Sequence, residues 1–510
     1  MNQPTNARTS ASLLTVVLAA GTLSGCAVGP DYQGPPTLDM PAAFSAADAD
    51  AKTAGTRKQD EAALRELAAW WQQFGDAQLT SLIVRAAEGN LDLKIASARI
   101  AESRALLGIS EANFWPTVNA DGSYNYSRFS ENSSNGGRFP SGADNDFRAG
   151  VNASWEVDVF GRVRRGVEAA TADLAAQEEL RRDLTLMLAA DVARTYTTYR
   201  SLQARVLIAQ ANINSQQESL NLANSRFKAG LSSELDVAQS TTQLANTKAA
   251  IPTLQIAARQ NLHSLSVLLG KAPAALAQEL DETKPVPTAH PDVALGVPSE
   301  LLRRRPDIRQ AERNIAATSA RIGVATADLF PQFTIVGSFG FEAENFAKLF
   351  DTNSRYWGIG PALRWNIFDF GRINNNIKAS EAREQQSVAT YEKTVLNALR
   401  ETEDALVGYA KEQLRYTALT ESSIASRRAL DLAKAQYQAG TIGYFQVLDA
   451  ERVKLLVEDS LAASSAVITN NLITIYKSLG GGWSLYTKPD TSETAPSPVA
   501  PAPAPPTPNS

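Results

Sequence analysis

In two regions of the chain, hydrophobic residues recur at every second position, and each region predicts a pair of strands. Apolar residues alternate strictly with polar or small ones, which is typical of strands with one apolar and one wet face. Each predicted strand is about ten residues long, the length of a tilted strand that crosses a bilayer. The strands are predicted at about 117–127 with 147–158, and at about 332–341 with 356–367.

Long helices are predicted after each strand pair. Residues 162–228 contain no proline and are rich in Ala, Leu, Gln and Glu, so they predict one helix about 100 Å long. Such a helix far exceeds the globular mean of about 11–12 residues and implies coiled packing against neighbours. This helix and its duplicate are predicted to end at Gly230 and Gly440, because glycine can take the left-handed conformation that reverses the chain. The long helices are predicted at 162–228, 233–270, 372–438 and 444–480.

The chain contains an internal duplication. Trp155–Arg162 matches Trp365–Arg372 at an offset of 210 residues, and the ends of the long helices match at the same offset. We therefore predict an α+β fold in which a unit of helix, strand hairpin and helical hairpin occurs twice. The repeats are assigned to 76–273 and 297–483, with a Pro-rich connector at 274–296 between them.

The N-terminus predicts export and lipid attachment. Residues 1–25 combine a basic start, an uncharged apolar run too short to span a bilayer and small residues at a cleavage point. Leu23–Cys26 resembles the bacterial lipobox, which implies that Cys26 carries N-palmitoyl and S-diacylglycerol groups, and Ala27 favours the outer membrane. A stray buried cysteine is the alternative. The flanking assignments are an extended segment at 26–75 and a disordered Pro-rich tail at 484–510.

Four strands do not close a barrel, because unpaired edges in lipid leave backbone groups unsatisfied. Two chains would give eight strands with little interior, whereas three would give twelve and leave a lumen. We therefore expect a trimer that conducts solutes. Alternatives are a soluble sandwich and an autotransporter-like adhesin, whose strands would lie together at the C-terminus. The polar residues expected to face the lumen are Arg148, Asn152, Glu156, Arg364 and Asn366.

The composition narrows the choice of function. With 49 Lys+Arg against 54 Asp+Glu and 44% apolar residues, the 510-residue chain has neither a disordered character nor a basic footprint for nucleic acid. One cysteine and two histidines are too few for a zinc cluster. Neither His263 nor His290 has a nucleophile or carboxylate constellation around it, so we expect no enzyme, no metal site and no cofactor.

The order of these features resembles the TolC/OprM-type outer-membrane factors, and among them the lipidated NodT-like branch that serves tripartite efflux pumps. The residues that carry the resemblance are Cys26–Tyr32, Val297–Arg309 and the two Phe-Gly-Arg junctions. The resemblance implies a homotrimeric twelve-stranded barrel in outer-membrane lipid, continued by a periplasmic α-helical barrel. The implied partners are a periplasmic membrane-fusion adaptor and an inner-membrane RND-type transporter.

The implied function is passive conduction of drugs or other small molecules to the exterior. The chain has no phosphate-binding glycine loop, so the energy must come from a partner. Type I protein secretion and metal-ion efflux remain the alternatives. A dedicated copper duct is disfavoured, because the only methionines are Met1, Met40 and Met187.

The resemblance also implies a gate at the periplasmic end, formed by Asp449 and Arg452. These two residues share a helical face, and three copies would form a charged ring across the lumen. Their counterparts in the first repeat, Gln239 and Thr242, are uncharged, and Gln446 stands where TolC has a second acidic residue. The alternative is an ordinary surface ion pair.

Asp236 and Tyr437 match positions that link neighbouring helices in the closed state of the family. The alternative for Asp236 is capping of the helix that starts at Ser233. The residues implied to contact the adaptor at the helical tips are Ala229, Gly230, Leu231, Ser232, Ala439, Gly440, Thr441 and Ile442.

Overall fold

The computed structural model describes residues 27–41, 44, 67–128, 130, 143–289 and 304–483. The predicted signal peptide, the lipidation site Cys26 and the Pro-rich tail lie outside these residues. Among the described residues, no helix has the length and apolar character needed to cross a membrane. The helices are α1 (Ala77–Gly89), α2 (Leu91–Ala112), α3 (Arg162–Lys228), α4 (Glu234–Leu268), α5 (Pro306–Ala327), α6 (Arg372–Gln438) and α7 (Tyr444–Ser478).

The structure confirms the duplicated unit of helix, strand hairpin and helical hairpin. Helices α3 and α6 each have 67 residues, α4 and α7 each have 35, and α2 and α5 each have 22. Equivalent side-chain contacts recur as well. The indole Nε1 of Trp155 donates to the Phe114 carbonyl at 2.9 Å, and that of Trp365 donates to the Leu329 carbonyl at 2.9 Å.

Four strands form one antiparallel sheet in the order β1-β2-β3-β4. Their bounds are β1 (Thr117–Arg128), β2 (Ala143–Val157), β3 (Gln332–Ala343) and β4 (Arg355–Arg364). The two hairpins are therefore neighbours, joined by β2 and β3. The outer edges of β1 and β4 have no partner strand among the described residues.

The register gives the sheet one apolar and one polar face. Val151 lies opposite Ala120 on one side and Phe339 on the other, and Phe339 lies opposite Trp357. The next residue along, Asn152, lies opposite Asn119 and Ser338. Because side chains alternate between the two faces of a strand, this register places the apolar residues of all four strands on the same face of the sheet. Of the predicted lumen residues, Arg148, Asn152, Glu156 and Arg364 share the polar face, while Asn366 lies beyond the end of β4.

Some strand and helix ends differ from the predicted ones. Strand β2 starts at Ala143 instead of 147, because it pairs with the full length of β1 as far as Arg128. Strand β4 ends at Arg364 instead of 367, because its partner β3 begins at Gln332, directly after a proline. Helices α4 and α7 each end two residues early, since Leu269 and Leu479 belong to the terminating turns.

All four long helices end in the same kind of turn. Gly230, Gly270, Gly440 and Gly480 have φ between 69° and 78°. After α3, the Gly230 N–H donates to Phe227 and the Leu231 N–H donates to Arg226, as in a Schellman motif. The same backbone bonds recur after α6. The glycines thus reverse the chain at matching positions in both repeats.

At the starts of α3 and α6, backbone N–H groups are bonded by an aspartate that follows a strand. Both carboxylate oxygens of Asp158 accept backbone N–H groups at the start of α3, at 3.0 and 2.9 Å. Asp369 does the same for α6, at 3.0 and 2.8 Å. The offset of 210 aligns Asp158 with Phe368, so the equivalent carboxylate has moved by one residue. A negative charge at this end also favours the helix dipole.

The most extensive buried cluster lies near the middle of α3. Trp70, in a short 3-10 helix (Trp70–Phe74), stacks on Tyr476 with 5.5 Å between ring centres. The fully buried Arg200 donates to the Gln78 side chain at 2.7 Å and to the Glu282 carbonyl at 2.6 Å. This cluster fastens the N-terminal segment and the connector to the long helices.

Candidate functional site

The predicted tip residues form the two turns that end α3 and α6. Most are exposed, whereas Ser232 and Ile442 are half-buried. Leu231 is 66% exposed at the first turn. Further exposed apolar side chains surround the turns, namely Phe227, Leu235 and Phe445. The end of the helical hairpins is therefore an apolar surface that is open to contact.

The structure brings Asp236 and Tyr437 together. The Tyr437 hydroxyl donates to Asp236 Oδ2 at 3.4 Å, which links α6 to α4. Arg226 of α3 lies over the Tyr437 ring at 4.8 Å and donates to the Gln438 carbonyl at 3.1 Å. Burial is the main cause that raises the pKa of Tyr437, so its hydroxyl keeps the proton that it donates. The two hairpins are thus joined just above their tips.

A second tyrosine joins the hairpins one turn further from the tip. The Tyr444 hydroxyl donates to Ser240 Oγ at 2.8 Å, and its ring packs edge-on against Tyr437 at 5.4 Å. Burial raises the pKa of Tyr444 to about 12. Asp236 also contacts the residue that precedes α4. The Ser233 hydroxyl donates to Asp236 Oδ1 at 3.3 Å, and Ser233 itself makes no side-chain cap bond.

Asp449 and Arg452 are exposed on one side of α7. They form no ion pair with each other or with other described residues, so the surface-pair alternative is wrong. Both line a groove of about 750 Å³ between α3, α4 and α7. The groove also contains the apolar side chains of Leu254, Val453 and Leu456. The side chains of Asp449 and Arg452 are therefore free to interact with a molecule in the groove or with a neighbouring surface.

A buried polar seam between α3, α6 and α7 was missed by the sequence analysis. Its centre is Glu451 and Glu458, which are only 2% and 7% exposed. Ser219 Oγ donates to Glu451 Oε1 at 2.5 Å. Glu458 accepts from Arg427 Nε at 2.7 Å and from Asn212 Nδ2 at 3.1 Å. The two carboxylates are seven residues apart, a spacing that places them on one helical face and could have revealed the seam.

The two glutamates experience opposite electrostatic balances. Burial raises the pKa of Glu451, against the weaker effects of Ser219, Lys434 and Lys454, and its Oε2 atom has no hydrogen-bond partner. Burial also acts to raise the pKa of Glu458. There the hydrogen bonds from Asn212 and Arg427 and the charge of Lys454 outweigh it, so the pKa falls below its usual value. The ionised Glu451 carboxylate therefore destabilises the folded protein, whereas the ionised Glu458 carboxylate stabilises it.

Comparisons with known proteins agree with this architecture. A profile described as outer membrane efflux protein matches residues 82–271 and 297–481. The solvent efflux pump outer membrane protein SrpC of Pseudomonas putida is 33% identical over 466 residues, 91% of this chain and 97% of that protein. The cation efflux system protein CusC of Escherichia coli is 31% identical over 470 residues, with coverages of 90% and 96%. The solved outer-membrane channel OprN matches with a TM-score of 0.82 at 35% identity, over 90% of this chain and 100% of that one.

The seam predicts opposite effects for two matched substitutions on α7. At pH 7, Glu458→Gln should destabilise the protein by about 1–3 kcal/mol, because a charged hydrogen-bond acceptor is lost. Glu451→Gln should stabilise it, because an ionised and partly unpaired buried carboxylate is removed. Thermal unfolding of the purified variants measures both effects.

The pH dependence follows from the two pKa shifts. The stability due to Glu458 is present above the ordinary glutamate pKa of 4.5 and is lost as the pH falls through its lowered value. The stability of the Glu451 site is present below 4.5 and is lost as the pH rises through its raised value. The difference in stability between each glutamine variant and the wild type should therefore shrink towards pH 4. Midpoint shifts of the same sign at pH 7 would contradict this account.

Proposed function

The chain belongs to the outer membrane efflux protein family, and from this premise we propose that it is the homotrimeric exit duct of a tripartite pump. The family consists of outer-membrane transport channels and not of enzymes. The observation that carries the proposal is the four-stranded sheet, which has two chemically different faces and two edges that no other described strand pairs. Its apolar face suits lipid, and its polar face suits an aqueous passage.

The trimer is supported by surfaces that one protomer leaves uncovered. Edge strands in lipid need partners, and β4 of one protomer is free to pair with β1 of the next. Three sheets of four strands then give a closed barrel of twelve. Apolar side chains on the outer faces of α2, α4 and α6 are exposed in the protomer and are candidates for burial between protomers. They include Ile95, Leu106, Ile256, Leu414 and Ile424.

The gate is proposed to lie where α7 approaches the threefold axis. Asp449 and Arg452 are exposed and unpaired in the protomer, so three copies supply both signs of charge to the lumen. The Tyr437–Asp236 and Tyr444–Ser240 bonds support a closed arrangement, because they hold the second hairpin against the first. Opening then requires these contacts to break.

Removal of the charged ring should widen the ionic path. The double substitution Asp449→Ala and Arg452→Ala should raise single-channel conductance in planar bilayers by about twofold or more, because charged rings control passage at a constriction. The matched control is Gln239→Ala with Thr242→Ala in the first repeat, which should leave conductance unchanged. Equal conductance of the wild type and the first variant, with intact trimers, would remove the gating role.

The tips are proposed to contact the periplasmic adaptor, which is coupled to an inner-membrane RND-type transporter. The residues are Ala229, Gly230, Leu231 and Ser232 in the first turn, with Ala439, Gly440, Thr441 and Ile442 in the second. Support comes from the exposed Leu231 and from Phe445 beside the second turn, 66% and 62% exposed. Apolar side chains in such positions mark protein interaction sites.

Lipid attachment at Cys26 is supported by the position of the next residues. The Val28 N–H donates to the Phe160 carbonyl at 3.1 Å, directly after β2. A methyl group placed on Gly161 would come within 2.7 Å of the Ala27 Cα atom. Residues 27 and 28 therefore lie where the sheet meets the helices, and in the proposed orientation this junction is at the inner leaflet. An acyl chain attached there reaches the bilayer directly.

Acylation has a direct test. Cells that express Cys26→Ser and are labelled with a radioactive fatty acid should yield an unlabelled protein, because the thiol that accepts the diacylglyceryl group is gone. Ala27→Ser, which keeps the cysteine, is the control and should remain labelled. Label on the serine variant would disprove the assignment.

The proposed substrates are small organic molecules. SrpC is named for a solvent pump and CusC for a cation system, so the relatives alone leave both classes open. Among the described residues, no group of three or more His, Cys, Asp and Glu side chains is placed to hold a metal ion. Half of the side chains that line the groove at Asp449 and Arg452 are apolar, including Leu254, Val453 and Leu456. These features favour an organic cargo over metal-ion efflux or type I secretion.

Deletion of the gene should increase the accumulation of a fluorescent efflux dye, and the wild-type copy should reverse the increase. Dye fluorescence per cell is the measurement, with sensitivity to copper and silver salts tested in parallel. Restoration of metal tolerance without any change in dye would favour the cation alternative. If the wild-type copy changed neither dye accumulation nor metal tolerance but restored the export of a protein, type I secretion would be favoured.

A further inference from the structure

Charge is distributed unevenly on the apolar face of the sheet. Along the described strands, the only charged residues at positions of this face are Arg128 and Arg355. Both are cations, and both lie at strand ends that adjoin the loops, farthest from the helices. Arg355 lies opposite Phe341 and is exposed. The opposite end of the same face carries apolar residues such as Val157, Phe333 and Leu363.

The β3–β4 loop folds onto this cationic end. Phe346 packs edge-on against Phe147 of β2, and Phe350 packs edge-on against Phe341 of β3, each with 5.5 Å between ring centres. Leu349 between them is buried, yet the two phenylalanines remain 65% and 69% exposed. The loop therefore holds two aromatic rings over the middle of the sheet, away from the edges where protomers would meet.

Lys348 lies between these two rings in the sequence and is exposed. Within the described part of the chain, neither Lys348 nor Arg355 forms an ion pair, although Glu344 and Asp351 belong to the same loop. The Lys348 carbonyl accepts bonds from Asp351 N and Ser354 Oγ, and Arg355 Nε donates to the Thr352 carbonyl. These bonds fix the loop backbone while leaving cationic nitrogens available. By contrast, Arg148 on the polar face is paired with Asp146 and Glu342, both at 3.0 Å.

We propose that the β3–β4 loop and Arg355 form a binding surface for the phosphorylated glycolipid of the outer leaflet. The acyl chains lie against Phe346 and Phe350, and the phosphates pair with Lys348 and Arg355. The proposal rests on the membrane orientation of the proposed duct. General snorkelling would place cations at both ends of the strands on the apolar face, whereas along the described strands this face has them only at the outer end, at Arg128 and Arg355. An anionic lipid confined to the outer leaflet accounts for that asymmetry.

The test is the amount of lipid A that full-length protein retains and binds. Wild-type trimers, extracted from outer membranes in mild detergent, should carry lipid A and should rebind bisphosphorylated lipid A in preference to its dephosphorylated form. The double substitution Lys348→Gln and Arg355→Gln should weaken binding about tenfold, because two charge-assisted phosphate contacts are lost. Lys348→Arg with Arg355→Lys keeps both charges and should bind like the wild type.

Two results would overturn the proposal. One is equal binding of phosphorylated and dephosphorylated lipid A by the wild type, a measurement that needs no variant to fold. The other is unchanged binding by intact trimers of the glutamine variant. Single-channel conductance of the same preparations tests the proposed channel function independently of lipid binding. Normal conductance without lipid A preference would reject this surface alone, and absent conductance with preserved preference would reject only the duct.

Discussion

The constraint on which the structure depends is that backbone N–H and C=O groups inside a membrane need hydrogen-bond partners. The sheet meets this constraint for β2 and β3, which are paired on both sides, whereas the outer edges of β1 and β4 have no partner strand in the part of the chain that the structure describes. The consistent division into an apolar and a polar face shows that both sides of the sheet have a defined environment. In the proposed trimer, neighbouring copies of the chain supply the hydrogen bonds that these edges need, so assembly is coupled to membrane insertion.

The duplication provides the same backbone twice, and the side chains then make the copies different. Both repeats share helix lengths, glycine turns and the indole bonds of Trp155 and Trp365. The second hairpin alone carries the exposed charges of Asp449 and Arg452, together with the buried Glu451 and Glu458. In the proposed duct, gating is therefore expected from the second hairpin. The polar seam between them is suited to rearrangement, since Glu451 Oε2 lacks a hydrogen-bond partner there.

Much of the fold was predictable from the sequence because its signals are periodic. Alternation located the strands, the absence of proline located α3 and α6, and the fixed offset revealed the repeat. Strand ends were less accessible, because the end of β4 depends on where its partner β3 begins. The seam was missed for a physical reason: a buried Glu451 looks like a solvent-exposed helix position until its partners on α3 and α6 are known. The contact of Asp236 with Tyr437 likewise depends on helix packing, because the two residues are 201 positions apart in the sequence.

The equal lengths of the two hairpins have a geometric consequence. Helices of 67 residues start at equivalent junctions and end at equivalent glycines, so both turns lie at the same height above the sheet. In the proposed trimer, three chains with two turns each present six matching ends. The backbone of this rim then has approximate sixfold symmetry, whereas its side chains have only threefold symmetry because the two turns differ in sequence. A ring of six identical partner subunits would fit this rim in outline while occupying two alternating kinds of site.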